Sequence, residues 1–150
     1  MSHSKTKLWI HAVFSTKARQ PQIRQTIRFQ VYIILTKQLT DLGSHVAAIG
    51  GVEDYVHILF QLDPRFSVAD VMKQVKGGSS HEINQRHLLS TKFAWQTGYG
   101  AFSISETNVE RVIQYIRNQE EHHRTVPFAA EYERFLHHYG LNDVPEQANR

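Results

Sequence analysis

Apolar residues recur along this chain with two periods. From Lys7 to Ser15 they alternate, with Leu8, Ile10, Ala12 and Phe14 on one side and Trp9, His11 and Val13 on the other. Both sides are largely apolar, which predicts a central strand covered on both faces. From Gln22 to Leu42 the period lengthens. Ile23, Ile27, Val31, Ile34, Leu35, Leu39 and Leu42 follow helical spacing, and Gly43 supplies a stop. His45 to Gly50, the pair Gly50-Gly51 and Tyr55 to Leu62 read as two antiparallel strands joined by a turn. In the second of these, Val56, Ile58, Phe60 and Leu62 form the expected core face, and Tyr55, His57, Leu59 and Gln61 the other.

Pro64 and Phe66 end that strand. Ser67 is expected to cap a second helix with Asp70 in its first turn. Val68, Val71, Met72 and Val75 begin the helix, which either breaks or continues across Lys76 to Ser80 and resumes from Ile83 to Leu89. The pair Gly77-Gly78 inside it costs about 1 kcal/mol per glycine relative to alanine, so it marks close approach of a backbone or ligand, or a kink. FAWQTG leads from Phe93 into a fourth strand, Tyr99 to Ser105. Thr107 and Glu110 match a capping box at the head of an amphipathic helix, Val109 to Arg124. Thr125-Val126-Pro127 breaks it, a last helix runs from Phe128 to Tyr139, and the polar tail from about Asn142 to Arg150 is expected to be flexible. The order βαββαβ plus two helices predicts an α+β, ferredoxin-like (RRM-like) fold. It would be an antiparallel four-stranded sheet with helices on one face and C-terminal helices added.

A chain of 150 residues suits one domain. At 41% hydrophobic residues it is expected to pack as a globule. Seventeen Lys and Arg against fourteen Asp and Glu give a net charge of +3, which permits a nucleic-acid partner without requiring one. The absence of cysteine excludes disulfides and thiolate metal sites. No apolar run is long enough to span a bilayer, and MSHSKTK lacks the apolar core of a signal peptide. The expected location is cytoplasmic.

The Val109 helix draws the chemistry together. At about 100° per residue, Val112, Ile113 and Ile116 cluster around Val109 as a core stripe, and Tyr115, Gln119 and His122 share one flank. Taken alone, Tyr115 is a tyrosine at the border of a core or a nucleophile. Arg111, Arg117 and Arg124 make the rest of that helix favourable to phosphate. His57 lies on the polar-bearing face of its strand. A single histidine binds a divalent cation weakly, and a glutamine carbonyl and phosphate oxygens would add to it. A cation so held would polarise a phosphodiester, and a tyrosine phenolate would attack it to give a covalent phosphotyrosine. His11 is either a hydrogen-bonded strand histidine or a participant in this site. Lys17 and Arg19 in the loop Thr16 to Pro21, and Lys73, Lys76, Ser79 and Ser80 on the second helix, are candidates to meet a phosphate chain. A solvated surface is the plain alternative for each.

WIHAVFSTKARQP from Trp9, GGVEDYVHILF from Gly50, VKGGSSHEIN from Val75, FAWQTGYGAFSIS from Phe93 and YIRNQEEHHR from Tyr115 together resemble the HUH single-tyrosine transposases. These are the IS200-like enzymes of bacterial insertion sequences and their relatives that act on repetitive extragenic palindromes. The resemblance spans about Lys7 to Tyr139. It implies cleavage and rejoining of single-stranded DNA near hairpins in DNA transposition, through a 5′-phosphotyrosine intermediate and a free 3′-OH. It implies that Tyr115 is the nucleophile, that Gln119 and His57 are ligands of a divalent metal, Mg²⁺ or Mn²⁺, and that the enzyme is a homodimer. The family has a second histidine two residues before His57, where this chain has Tyr55. Three readings stay open at that departure. The protein binds hairpin single-stranded DNA without efficient cleavage, or Tyr55 or His11 replaces the missing ligand, or a looser metal suffices. A ferredoxin-like RNA-binding module of another kind would instead expose Trp9, Phe14 or Tyr99 as stacking platforms.

Overall fold

The computed structural model describes residues 4–119 and 134. The residues up to Gln119 form one compact unit. The strands are β1 (Trp9–Ser15), β2 (His45–Gly51), β3 (Tyr55–Gln61) and β4 (Gly100–Ile104), and the helices are α1 (Gln25–Asp41), α2 (Val68–Gln85) and α3 (Val109–Arg117). The sheet is antiparallel with strand order β2-β3-β1-β4. This is the expected ferredoxin-like arrangement. β1, apolar on both sides, is central as its composition predicts, and so is β3.

One face of the sheet carries the main core. Ile10, Ala12 and Phe14 of β1 and Val56, Ile58 and Phe60 of β3 pack against Val31, Ile34, Leu35 and Leu39 of α1 and Val71, Met72 and Val75 of α2. α1 closes as its sequence predicts, with Gly43 at φ 75° and the Ser44 N–H donating to the Leu39 carbonyl at 3.0 Å. The Ser67 hydroxyl accepts the Asp70 N–H at 3.0 Å and starts α2. The helix then runs unbroken through Gly77 and Gly78, and it ends at Gln85 rather than Leu89. Gly78 faces the Gln38 side chain of α1, whereas Gly77 meets nothing within 4 Å. Gly78 therefore lies where α1 and α2 approach, and the glycine pair does not kink the helix.

The opposite face is also buried. Tyr55, His57 and Leu59, alternating with the core residues of β3, are no more than 1% exposed, because α3 lies on that side against β2 and β3. Two expected features change here. Gly50 and Gly51 belong to β2, pairing with His57 and Val56, and the turn falls on the residues after them. A Cβ on Gly50 would collide with the Ile116 carbonyl oxygen of α3, so the missing side chain is what lets α3 descend. The capping box is also absent. A 3₁₀ turn, Glu106–Asn108, precedes α3, whose cap residue Asn108 makes no side-chain capping bond. Thr107 Oγ1 instead meets Ser105 Oγ at 3.2 Å. Ile116 is buried, with Val109, Val112 and Ile113 half-buried beside it, as the helical stripe predicts. α3 closes at Arg117. Asn118 leaves helical geometry, so the expected unbroken run to Arg124 is interrupted there. The rest of that run from residue 120, the expected helix Phe128 to Tyr139 apart from residue 134, and the tail from Asn142 lie outside the described residues. Among the described residues no helix is long and apolar enough to cross a membrane.

These contacts separate two glycines of similar appearance. Gly50→Val should destabilise the protein by about 2 kcal/mol or more, because the added carbons meet helix backbone that cannot yield. Gly77→Ala should stabilise it by up to about 1 kcal/mol through helix propensity alone. Urea denaturation of both variants checks the pair, and equal midpoints would contradict the packing described.

Candidate active site

The interstrand register decides which polar residues meet on the α3 face. Val13 of β1 lies opposite His57 of β3, and His11 opposite Leu59. His11 and His57 are thus diagonal neighbours on one face, a relation within reach of long or aromatic side chains. Their rings meet, with His11 Nε2 2.9 Å from His57 Nδ1 and centroids 5.1 Å apart. α3 places Tyr115 above them, its ring centroid 5.6 Å from that of His57 and 6.4 Å from that of His11. Gln119, one turn further along, is 1% exposed. Its Nε2 donates to the Tyr115 carbonyl at 3.2 Å.

Tyr55 completes the group. Its hydroxyl donates to Gln119 Oε1 at 3.3 Å, and its ring stands edge-on to His57 with centroids 5.4 Å apart. The structure therefore brings together Tyr115, Gln119, His57, Tyr55 and His11. His11 reaches this group through His57 and an edge-on contact with Tyr115, and Tyr55 reaches it through both His57 and Gln119. None of the five carries a carboxylate, so negative charge would arrive with a substrate. Burial, and then the neighbouring His57, holds the His11 imidazole well below its ordinary pKa, which keeps it neutral near pH 7.

Among the described residues no three His, Cys, Asp or Glu side chains converge on a metal position. His57 and Gln119 offer one imidazole nitrogen and one amide oxygen. That pair fits a hard divalent cation of the kind that keeps several waters and takes other ligands from substrate phosphates. Tyr55, a neutral phenol already donating its proton to the Gln119 oxygen, adds no strong ligand.

The cationic candidates divide. Lys17, Lys73 and Arg117 are exposed. Arg19 is exposed but forks onto Asp54, with Nε and Nη2 at 3.1 and 2.8 Å from Oδ2. Lys76 donates to the Gln96 and Gly98 carbonyls at 2.7 and 2.5 Å, and partial burial lowers its pKa. Ser80 donates to the Gly77 carbonyl at 3.1 Å. Ser79 is fully buried, donating to the Lys76 carbonyl and accepting from Trp95 Nε1 at 2.9 Å, so it serves packing. Trp9 and Phe14 are buried and Tyr99 is 40% exposed, so the sheet presents no row of open stacking platforms. Reasoning from sequence missed two positions that shape the site. Gly50 looked like a turn glycine, and Asp54 gave no sign that it would hold Arg19, 35 residues away.

Residues 4–119 match the family model described as "Transposase IS200 like". A solved structure of a candidate transposase from Deinococcus radiodurans R1 is 26% identical, covering 79% of this chain and 95% of its own, with a TM-score of 0.64. A REP-associated tyrosine transposase, solved bound to a REP hairpin, is 16% identical over 84% of this chain and 76% of its own, with a TM-score of 0.60, and shares the fold. No curated protein sequence matches the chain.

Neutral, buried His11 makes stability depend on pH with a definite sign. The unfolded chain protonates this residue near pH 6.5, whereas the folded protein does so only well below that. The folded state therefore has its full stability above about pH 6.5 and loses it as the pH falls, at up to about 1.4 kcal/mol per pH unit from this residue. Thermal melts between pH 7.5 and 5 should show this loss, and His11→Phe should flatten the curve. Parallel curves for the two proteins would show that His11 does not contribute.

Proposed function

The chain belongs to the IS200-like transposase family, and from that premise we propose that it cuts and rejoins single-stranded DNA near hairpins with Tyr115 as the nucleophile. One observation carries the reading. α3 holds Tyr115 over His57, with Gln119 buried just past the end of that helix. In the reaction the Tyr115 oxygen bonds to the scissile phosphorus while the bond from phosphorus to the 3′ oxygen breaks. The electron pair leaves on that oxygen, which takes a proton to become a free 3′-OH. The 5′ phosphate stays on Tyr115 as a phosphodiester, so a later attack by a 3′-OH rejoins DNA and releases the tyrosine.

A divalent ion, Mg²⁺ or Mn²⁺, bound by His57 and Gln119 would supply Lewis-acid polarisation of the phosphodiester. The protein's own part is orientation. Gly50 allows α3 to come down, the Gln119 amide ties itself to the Tyr115 carbonyl, and the buried β3 strand gives His57 a fixed place. Exposed Lys17, Lys73 and Arg117 are the first contacts we assign to the DNA backbone, with Arg19, Lys76 and Ser80 available at the cost of their present partners. The hairpin assignment draws on the relative solved with a REP hairpin. A homodimer of this single domain is the proposed working form.

A second reading rests on Tyr55. Its hydroxyl donates to the same Gln119 oxygen that would face a metal. A protein with that contact would bind hairpin single-stranded DNA and cleave it poorly.

A labelled hairpin-bearing single strand, incubated with Mg²⁺ or Mn²⁺ and run on a denaturing gel, tests both. The first reading expects a covalent protein–DNA adduct that Tyr115→Phe abolishes. An adduct that survives Tyr115→Phe would overturn the choice of nucleophile. If the native protein forms none while Tyr55→His does, the second reading holds. Restoring one ligand should strengthen metal binding by about 10-fold or more, the scale on which metal sites respond to losing even an outer partner.

A further inference from the structure

The proposed reaction assigns no role to His11. It sits on the central strand β1, 1% exposed like His57. Its ring is boxed in by His57 and by edge-on contacts with Phe102 at 6.3 Å and Tyr115 at 6.4 Å between centroids. The 2.9 Å contact between His11 Nε2 and His57 Nδ1 holds one proton when both rings are neutral, and which ring owns it decides what the far side of His57 can do. If His57 keeps the proton on Nδ1, its Nε2 carries a lone pair. If His11 donates instead, His57 bears its proton on Nε2 and can only donate from there.

We propose that His11 is a positioning residue that accepts the His57 Nδ1 proton, so fixing the tautomer and ring plane in which His57 Nε2 can ligate a divalent cation. The inference rests on the reading of His57 as a metal ligand. Ligand histidines commonly donate their second N–H to a carboxylate or a carbonyl; here a second imidazole occupies that place. The arrangement follows from the sheet itself. The register sets the diagonal between the two residues, burial on both sides of β1 and β3 keeps water from competing for the bond, and the ring contacts limit rotation. It also explains why His11 meets the site without adding a ligand of its own. Its Nε2 is committed to His57.

Two measurements on the full-length protein test this. In the metal-free native protein, ¹⁵N–¹H NMR of the histidine side chains should show the proton of His57 on Nδ1 and its Nε2 unprotonated; a proton on His57 Nε2 would overturn the proposal. Mn²⁺ affinity should then be measured by electron paramagnetic resonance, in the native background and with Tyr55→His. His11→Phe, which keeps a ring but offers no acceptor, should weaken Mn²⁺ binding about 10- to 100-fold, and His11→Gln, whose amide oxygen can accept the proton, should stay within about threefold of its background. His57→Ala should weaken it at least as much as His11→Phe. Affinity unchanged in His11→Phe but lost in His57→Ala overturns this inference alone. Affinity unchanged in both overturns the ligand reading of His57 and the inference with it.

Discussion

At Gly50 the backbone of α3 lies so close to β2 that any Cβ would run into the Ile116 carbonyl oxygen. This one approach governs the rest of the site. It closes the second face of the sheet, turning β1 and β3 into strands buried on both sides. It also sets the height at which Tyr115 stands over His57. A side chain at position 50 would lift the helix, and small displacements at a reacting centre carry large losses in rate.

Closing that face has a cost that the side chains beneath it must offset. Buried polar groups destabilise a fold unless they are hydrogen-bonded. Here they meet in pairs. His11 meets His57, Tyr55 meets Gln119, and Gln119 turns back to the Tyr115 carbonyl. All five side chains are free of negative charge, and His11 is held neutral by its burial. Such a pocket avoids the heavy penalty of burying unpaired ions, and it does not repel an incoming phosphate. Tyr55 fits this scheme as a structural partner for Gln119. The hydroxyl that weakens the case for a strong metal site is also what keeps that amide oxygen satisfied.

Away from the site, the basic residues show how poorly charge alone reports on function. Arg19 and Lys76 looked equivalent to Lys17 and Lys73 in a mildly basic chain. The fold uses the first pair to hold loops, through Asp54 and through the Gln96 and Gly98 carbonyls, and leaves the second pair exposed. The hydroxyls of Ser79 and Ser80 divide in the same way between core and surface.

The local pattern of the chain was enough to determine the described strands and helices to within a few residues, and with them the ferredoxin-like order, though not the break at Asn118 that leaves Gln119 beyond the end of α3. Periodicity reports which residues share a face, and those features depend on nothing else. Two-sided burial of β1 was legible for the same reason, since both of its faces are apolar. The partners across the site were not legible. His11 and His57 are separated by 46 residues and Tyr55 and Gln119 by 64, so their meeting depends on strand register and on where α3 lands. The role of Gly50 was hidden as well, because a glycine in sequence looks alike whether it serves a turn or admits a helix. Only the tertiary structure, by bringing a backbone against it, distinguished the two.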